Sequence, residues 1–329
     1  MKIQTNQLET NLKNIVFMGT PDFALDVLKE IYKEYNVIAV YTREAKPVGR
    51  KMVVTKSPVQ VFAEENDIKV FTPKNFRDQE TVEELKKLHP NIIIVAAYGI
   101  ILPRDVLEIP SLGCINVHAS LLPKLRGANP IQRSIMNGDR VTGITIMKMD
   151  KGMDTGNMLL KDLMVIDKNE TYGELEKRLA KMGGELILKY LKEMENILPQ
   201  RQTSDFTLAP KLSKEESIID WNKTAGEIHN LVRALNPHPF ANFTHGENTI
   251  KVIRTEVQKE TTDKPAGTIL NKNMDIACGS GTIIRLLEVQ KVGSKQMPIK
   301  DFLNGYKIEI GEVLGSQNKN EKINDEVQA

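Results

Sequence analysis

Asn116, His118 and Asp154 are the side chains of this 329-residue chain whose types and spacing could do chemistry together. Asn116 and His118 close a short apolar run, Cys114-Ile115-Asn116-Val117-His118. Residues two apart in a strand point to the same side, so an amide and an imidazole project together from one strand end. Asp154 lies in a Gly-rich turn, Gly152-Met153-Asp154-Thr155-Gly156, after a second strand expected over Gly143 to Met149. This trio suits attack of a nucleophile on a carbonyl. His118 and the Asn116 amide can donate to the developing oxyanion, and loss of one such donor costs roughly 2.7–4 kcal/mol of barrier. Asp154 can take the proton of the attacking group, directly or through His118 or a water, which is worth about 10²–10⁴ in rate. No Ser, Cys or Lys nucleophile is needed if the substrate brings its own amine. Each residue also has a structural reading: a hydrogen-bonded histidine, a turn asparagine, a turn-stabilising aspartate. Asp154-Thr155-Gly156 matches the aspartic-protease triplet, but such a site needs two like carboxylates sharing a proton and this chain has one triplet.

The elements that must position these residues follow an alternating pattern. Asn14 to Gly19 reads as a buried first strand, followed by a helix with Phe23, Val27, Leu28 and Ile31 on one side. Val37 to Tyr41 is a second strand, and Arg43 to Lys56 a basic, turn-rich loop. Ser57 caps the next helix, Val70-Phe71 is a short strand, and Asp78 to Leu88 reads as a helix. Ile92 to Ala97 is a continuous apolar run of the kind buried on both faces of a parallel sheet. After His118 a loop runs through Ser120 to Gly127, and a helix opens at Asn129-Pro130 with Gln132 three residues after the cap. The pattern predicts a doubly wound, mostly parallel, Rossmann-like α/β sheet. In such sheets ligands bind beyond the carboxyl ends of the strands, where Asn116, His118 and Asp154 are expected to fall. Gly19 alone is not a GxGxxG fingerprint, which argues against a dinucleotide.

Thr171-Tyr172-Gly173-Glu174 is a capping box opening a helix in which Leu175, Leu179, Met182, Leu186 and Tyr190 recur. The expected division is a catalytic domain over 1–198 with an extension at 1–13, a linker over 199–213, and a second domain over 214–315. A disordered tail is expected over 316–329. A short helix over Ala225 to Leu235 precedes strand-like runs at Thr249–Ile253, Gly267–Leu270, Asp275–Ala277 and Thr282–Val289, a spacing that suggests a small antiparallel, OB-like β-barrel. Between Thr249 and Lys300 stand nine Lys/Arg against five acidic residues.

Composition excludes several classes. Apolar content of 40% and charged content of 27% fit a globular protein, and no apolar run approaches the length of a membrane helix. The first residues lack the apolar core of a signal peptide. Cys114 and Cys278 make neither a metal spacing nor a disulfide framework, so a cytoplasmic setting without a metal is expected. A net charge of +2 gives no bulk argument for a polyanion, so any nucleic-acid binding must come from local patches.

Several motifs carry a resemblance. Gly113-Cys114-Ile115-Asn116-Val117-His118, then SLLPKLRG, ANPIQRS and MDKGMDTG, is similar to the folate-dependent formyltransferase family. Phe17-Met18-Gly19-Thr20-Pro21-Asp22, Ala97-Tyr98-Gly99 to Leu102-Pro103, and Lys211-Leu212-Ser213-Lys214-Glu215-Glu216 extend the likeness from about Asn14 to about Glu312 and narrow it to the branch acting on aminoacyl-tRNA. The resemblance implies transfer of the formyl group of 10-formyltetrahydrofolate to the α-amine of methionine esterified to initiator tRNA, releasing tetrahydrofolate. It implies Asn116, His118 and Asp154 as the catalytic residues. Ser120, Leu121, Leu122 and Pro123 become the folate loop, with the backbone of Ala97–Gly99 and of Asp150–Asp154 as further candidates. Arg50 and Lys51 become tRNA contacts. After Arg50 the family tends to continue Gly-Lys-Lys-Leu, where this chain has Lys51-Met52-Val53-Val54. A monomer is expected. Two alternatives share these residues: a formyltransferase acting on an amino-sugar nucleotide or another small amine, and a catalytically silent nucleic-acid-binding module.

Overall fold

The computed structural model describes residues 14–48 and 52–315. The extension at 1–13, the tail at 316–329, and Arg50 and Lys51 lie outside the described residues. In chain order the first elements are β1 (Ile15–Gly19), α1 (Asp22–Glu34), β2 (Val37–Tyr41), β3 (Lys46–Val48), β4 (Val53–Thr55), α2 (Pro58–Glu65), β5 (Lys69–Phe71), α3 (Gln79–Lys86) and β6 (Ile92–Ala96). They continue through α4 (Arg104–Leu107), β7 (Cys114–His118), β8 (Arg126–Gly127), α5 (Pro130–Met136), β9 (Val141–Lys148), β10 (Met158–Val165), α6 (Tyr172–Glu193) and β11 (Leu208–Ala209).

The chain divides into two compact units. The first runs to Pro130 and adds Val141–Val165 and Leu175–Lys211; the second comprises Ile131–Arg140, Ile166–Glu174 and the chain from Leu212. The first unit is mixed α/β. Its seven-stranded sheet has the order β10-β9-β7-β6-β1-β2-β5. The five strands from β7 to β5 pair in parallel. β1 and β6 are buried at every position, as their unbroken apolar runs require. α1 buries Phe23, Val27, Leu28 and Ile31 at helical spacing, each worth about 1.5–3 kcal/mol on burial. Ser57 caps α2 by accepting from the Gln60 N–H at 3.0 Å.

Three readings need correction. The basic loop after β2 contains a hairpin, β3 pairing antiparallel with β4, because its Val53-Val54-Thr55 run is β-forming. β9 runs antiparallel to β7, and β10, unread in the sequence, pairs antiparallel with β9 as the sheet edge. Residues 199–211, expected as a linker, belong to the first unit. Gln200 bridges Met158, and β11 pairs with β8. Their polar composition suited a solvated linker, but Gln202 and Thr207 pair with backbone of the first unit.

The second unit continues with α7 (Ala225–Ala234), β12 (Ala241–His245), β13 (Asn248–Val257), β14 (Asp275–Ala277), β15 (Ile283–Lys291), β16 (Met297–Pro298) and α8 (Ile299–Gly305). Thr224 and Glu227 form a capping box on α7. The strands make an antiparallel sheet in the order β12-β13-β15-β14, with β16 on β15. Their inward residues, among them Phe243, Ile250, Ile276 and Leu286, pack with Trp221 and Ile228. Gly267–Leu270 forms no strand and makes isolated bridges through Thr268 and Ile269. The KLSKEE motif is tied down by Glu216, which takes a bidentate pair from Arg133 (3.0 Å for Nη2 to Oε2) and the Ser213 N–H. No helix among the described residues is long and apolar enough to cross a membrane.

A buried histidine makes this unit pH-sensitive. His229 Nε2 lies 3.3 Å from the Lys168 carbonyl, which can only accept, and Nδ1 lies 2.9 Å from Thr255 Oγ1. The neutral ring satisfies both contacts, and burial pushes the His229 pKa below its ordinary 6.5. The unfolded chain therefore takes up a proton near pH 6.5 that the native state resists, and stability falls as pH drops from there. The urea midpoint of the wild type is expected to fall more between pH 7 and 5.5 than that of His229→Gln. Equal falls would remove His229 as the cause.

Candidate active site

The two-residue spacing does what the sequence implies: Asn116 and His118 share one side of β7. Asp154 arrives by a route the sequence reading missed. Since β9 is antiparallel to β7, with Lys148 opposite Ile115 and Thr145 opposite His118, Asp154 does not leave from the carboxyl end of a parallel strand. The turn after β9 instead returns its side chain over the face carrying the other two. Asn116 Nδ2 donates to Asp154 Oδ1 at 3.5 Å. His118 Nδ1 lies 3.7 Å from Asp154 Oδ2. The Gly127 N–H donates to Asp154 Oδ2 at 2.9 Å. His118 is buried and Asn116 and Asp154 half-buried, so the carboxylate has few waters to screen it.

The surrounding loops are held under backbone strain. Asp154 sits at φ +55 and Leu125 at φ +60, both in the left-handed region disfavoured for side chains other than glycine. The Leu125 carbonyl lies 3.0 Å from His118 Nε2. A carbonyl only accepts, so Nε2 carries the hydrogen and Nδ1 is the ring atom that faces Asp154. At 3.7 Å that pair is beyond direct hydrogen bonding. Cys114, in the same strand, is no competing nucleophile, because burial pushes its thiol up to about 12 and keeps it protonated.

The loop after β7 is built mostly inward. Ser120 is buried and its Oγ donates to the Lys124 carbonyl at 2.6 Å. Thr145 Oγ1 donates to the Ser120 carbonyl at 2.7 Å and accepts from the Leu122 N–H at 3.1 Å. Leu122 packs with Met147 and Met158 in the core, so of the expected apolar pair only half-buried Leu121 is left to wall a ligand pocket. Pro123 is also half-buried. Ala97 and Gly99 both have positive φ (+43 and +75), and the Tyr98 carbonyl between them accepts from Thr20 Oγ1 at 3.1 Å. No group of three or more His, Cys, Asp and Glu that could hold a metal occurs among the described residues.

The family described as Formyl transferase matches residues 13–191, and Formyl transferase, C-terminal domain, matches residues 211–307. The chain belongs to the formyl transferase family. A protein of Clostridium perfringens strain 13 named methionyl-tRNA formyltransferase is 47% identical over 306 residues, covering 91% of this chain and 99% of its own. One of Marinobacter nauticus with the same name is 44% identical over 300 residues, covering 89% of this chain and 96% of its own. Among solved structures, an N-formyltransferase from Helicobacter canadensis in complex with folinic acid and dTDP-3-aminofucose has a TM-score of 0.61 at 22% identity, covering 85% of this chain and 99% of that one. At that identity it speaks for the shared fold.

Some residues around the site went unread in the sequence. Gln202 and Thr207 fall in the stretch expected as a linker, and Arg126 read only as part of the loop after His118. Their polar type, flanked by Pro199 and Pro210, signals a turn-rich segment as readily as a packed one. Only a tertiary contact separates the two.

Proposed function

We propose that the chain transfers the formyl group of 10-formyltetrahydrofolate to the α-amine of methionine esterified to initiator tRNA. The observation that carries the chemistry is the meeting of one amide, one imidazole and one carboxylate on a single face of β7; the substrate is taken from the likeness to the two curated relatives. An α-amine has a pKa of about 7.7–8.0, lowered further by the adjacent ester, so a useful fraction is uncharged near neutrality. The protein therefore needs to align that amine rather than generate a nucleophile. In this reading Asn116 Nδ2 and protonated His118 Nδ1 donate to the formyl oxygen as the new C–N bond forms. Asp154 accepts the amine proton, directly or through a water. A proton returned to the folate nitrogen lets the old C–N bond break and tetrahydrofolate leave. Leu121, Pro123 and the backbone of Ala97–Gly99 border the folate, and the inward packing of Ser120 and Leu122 makes them supports of that loop.

The tRNA is held by two sets of cations. Arg50 and Lys51 reach acceptor-end phosphates. The second unit acts as an OB-like barrel whose nine Lys/Arg between Thr249 and Lys300 contact the backbone. The protein works as a cytoplasmic monomer. Arg50→Ala is expected to raise KM for the charged tRNA and to reduce the salt slope by roughly one counterion, leaving KM for the folate unchanged. A tRNA KM equal to wild type at 50 and 200 mM salt would remove Arg50 from the interface. The direct test of the proposal is transfer from 10-formyltetrahydrofolate to methionine-charged initiator tRNA, measured beside free methionine and a dTDP-amino sugar.

A further inference from the structure

We infer that Gln202 is a positioning residue that sets the spacing of the site by clamping its two loops together. This rests on the reading of Asp154 as the proton acceptor. Gln202 touches none of the three reacting side chains. Its Nε2 donates to the carbonyls of Asp154 and Gly156 at 2.7 and 2.8 Å. Its Oε1 accepts from Arg126 Nε at 2.9 Å. Both N–H groups and the oxygen of one amide are thereby engaged, joining the turn that carries Asp154 to the loop that leads from His118. Arg126 is itself buried, with its guanidinium 4.6 Å above the Phe206 ring. Arg126 cannot follow a moving turn without losing that stack.

The same segment holds the other strained residue. Thr207 Oγ1 accepts from the Leu125 N–H at 2.9 Å, and the Thr207 carbonyl accepts from the Arg126 N–H at 2.9 Å. Leu125 and Asp154, the left-handed, non-glycine residues that hold the His118 ring and the carboxylate, are thus anchored by residues 202–207. Leu125 orients His118 through its carbonyl, and Asp154 carries the carboxylate. The 3.7 Å between His118 Nδ1 and Asp154 Oδ2 depends on this segment from both ends.

The amide chemistry selects Gln. Glu at this position would set an oxygen against two carbonyl oxygens, and Met would fill the space with no donor. Gln202→Glu and Gln202→Met are expected to lower kcat by ~10²-fold, the scale of an ångström-sized misplacement, with both KM values within about threefold. Thermal unfolding checks that the variants are folded, and Gln202→Met keeps the test open if the Glu variant is not. The decisive step repeats both changes in an Asp154→Asn background under single turnover. If Gln202 acts through Asp154, its replacement there costs less than about threefold further, since residues acting as a unit are not additive. The full loss persisting in that background would reduce Gln202 to general structural support and overturn the inference, as would unchanged kcat in the single variants. Unchanged turnover in Asp154→Asn alone would overturn the reading of the site, and the clamp with it.

Discussion

Asp154→Asn is expected to fold like the wild type and to turn over ~10²–10⁴-fold more slowly, the usual worth of a positioned general base. The amide oxygen keeps the hydrogen bond from the Gly127 N–H, now 2.9 Å long, so the turn is retained while the proton acceptor is lost. The missing interaction is made only as the amine attacks. KM for folate and for charged tRNA should therefore stay near wild type while kcat falls. Single-turnover transfer with both substrates saturating separates this from slow product release. Activity within about threefold of wild type would remove Asp154 from proton transfer.

Gly127→Ala is the second large effect, and it strikes fold and chemistry together. Gly127 sits at φ +125, outside the range of ordinary L-residues, and a Cβ there would lie 2.6 Å from the Ala209 carbonyl oxygen. The strain alone is about 1–3 kcal/mol. For a unit of this size each kcal/mol lowers Tm by roughly 2–4 °C. Relief requires parting β8 from β11, which moves the N–H that holds Asp154, so kcat should fall as well. Gly246 is the control. It also has positive φ (+55), but a Cβ there meets nothing within 4 Å, so Gly246→Ala should cost little beyond its own backbone strain. Calorimetry and steady-state rates on the two variants make the comparison. A Gly127→Ala protein with wild-type Tm and kcat would show that β8 and β11 need not stay close.

Much of the α/β frame was legible because buried parallel strands leave unbroken apolar runs. Ile15 to Gly19 and Ile92 to Ala96 could be read directly, and so could the caps at Ser57 and Thr171. Asn116 and His118 were placed on one side by the two-residue period of a strand. The direction of β9 was not legible, since period and propensity are the same for a parallel and an antiparallel strand. β10 was missed because its burial is irregular and its edge faces solvent, as exposed Leu163 and Val165 show. The 199–211 segment was misread for a related reason. Its hydrogen bonds go to backbone atoms of Met158, Asp154 and Leu125, and side chains of the linker type give no hint of such partners.

The most direct test of the central claim is formyl transfer with methionine-charged initiator tRNA, free methionine and a dTDP-amino sugar offered side by side, 10-formyltetrahydrofolate being the donor. The account predicts turnover on the charged tRNA alone, abolished by Asp154→Asn. Turnover on the amino sugar in place of the tRNA would contradict the substrate assigned here while leaving Asn116, His118 and Asp154 in their roles. Folate binding without transfer to any acceptor would contradict the catalytic reading itself.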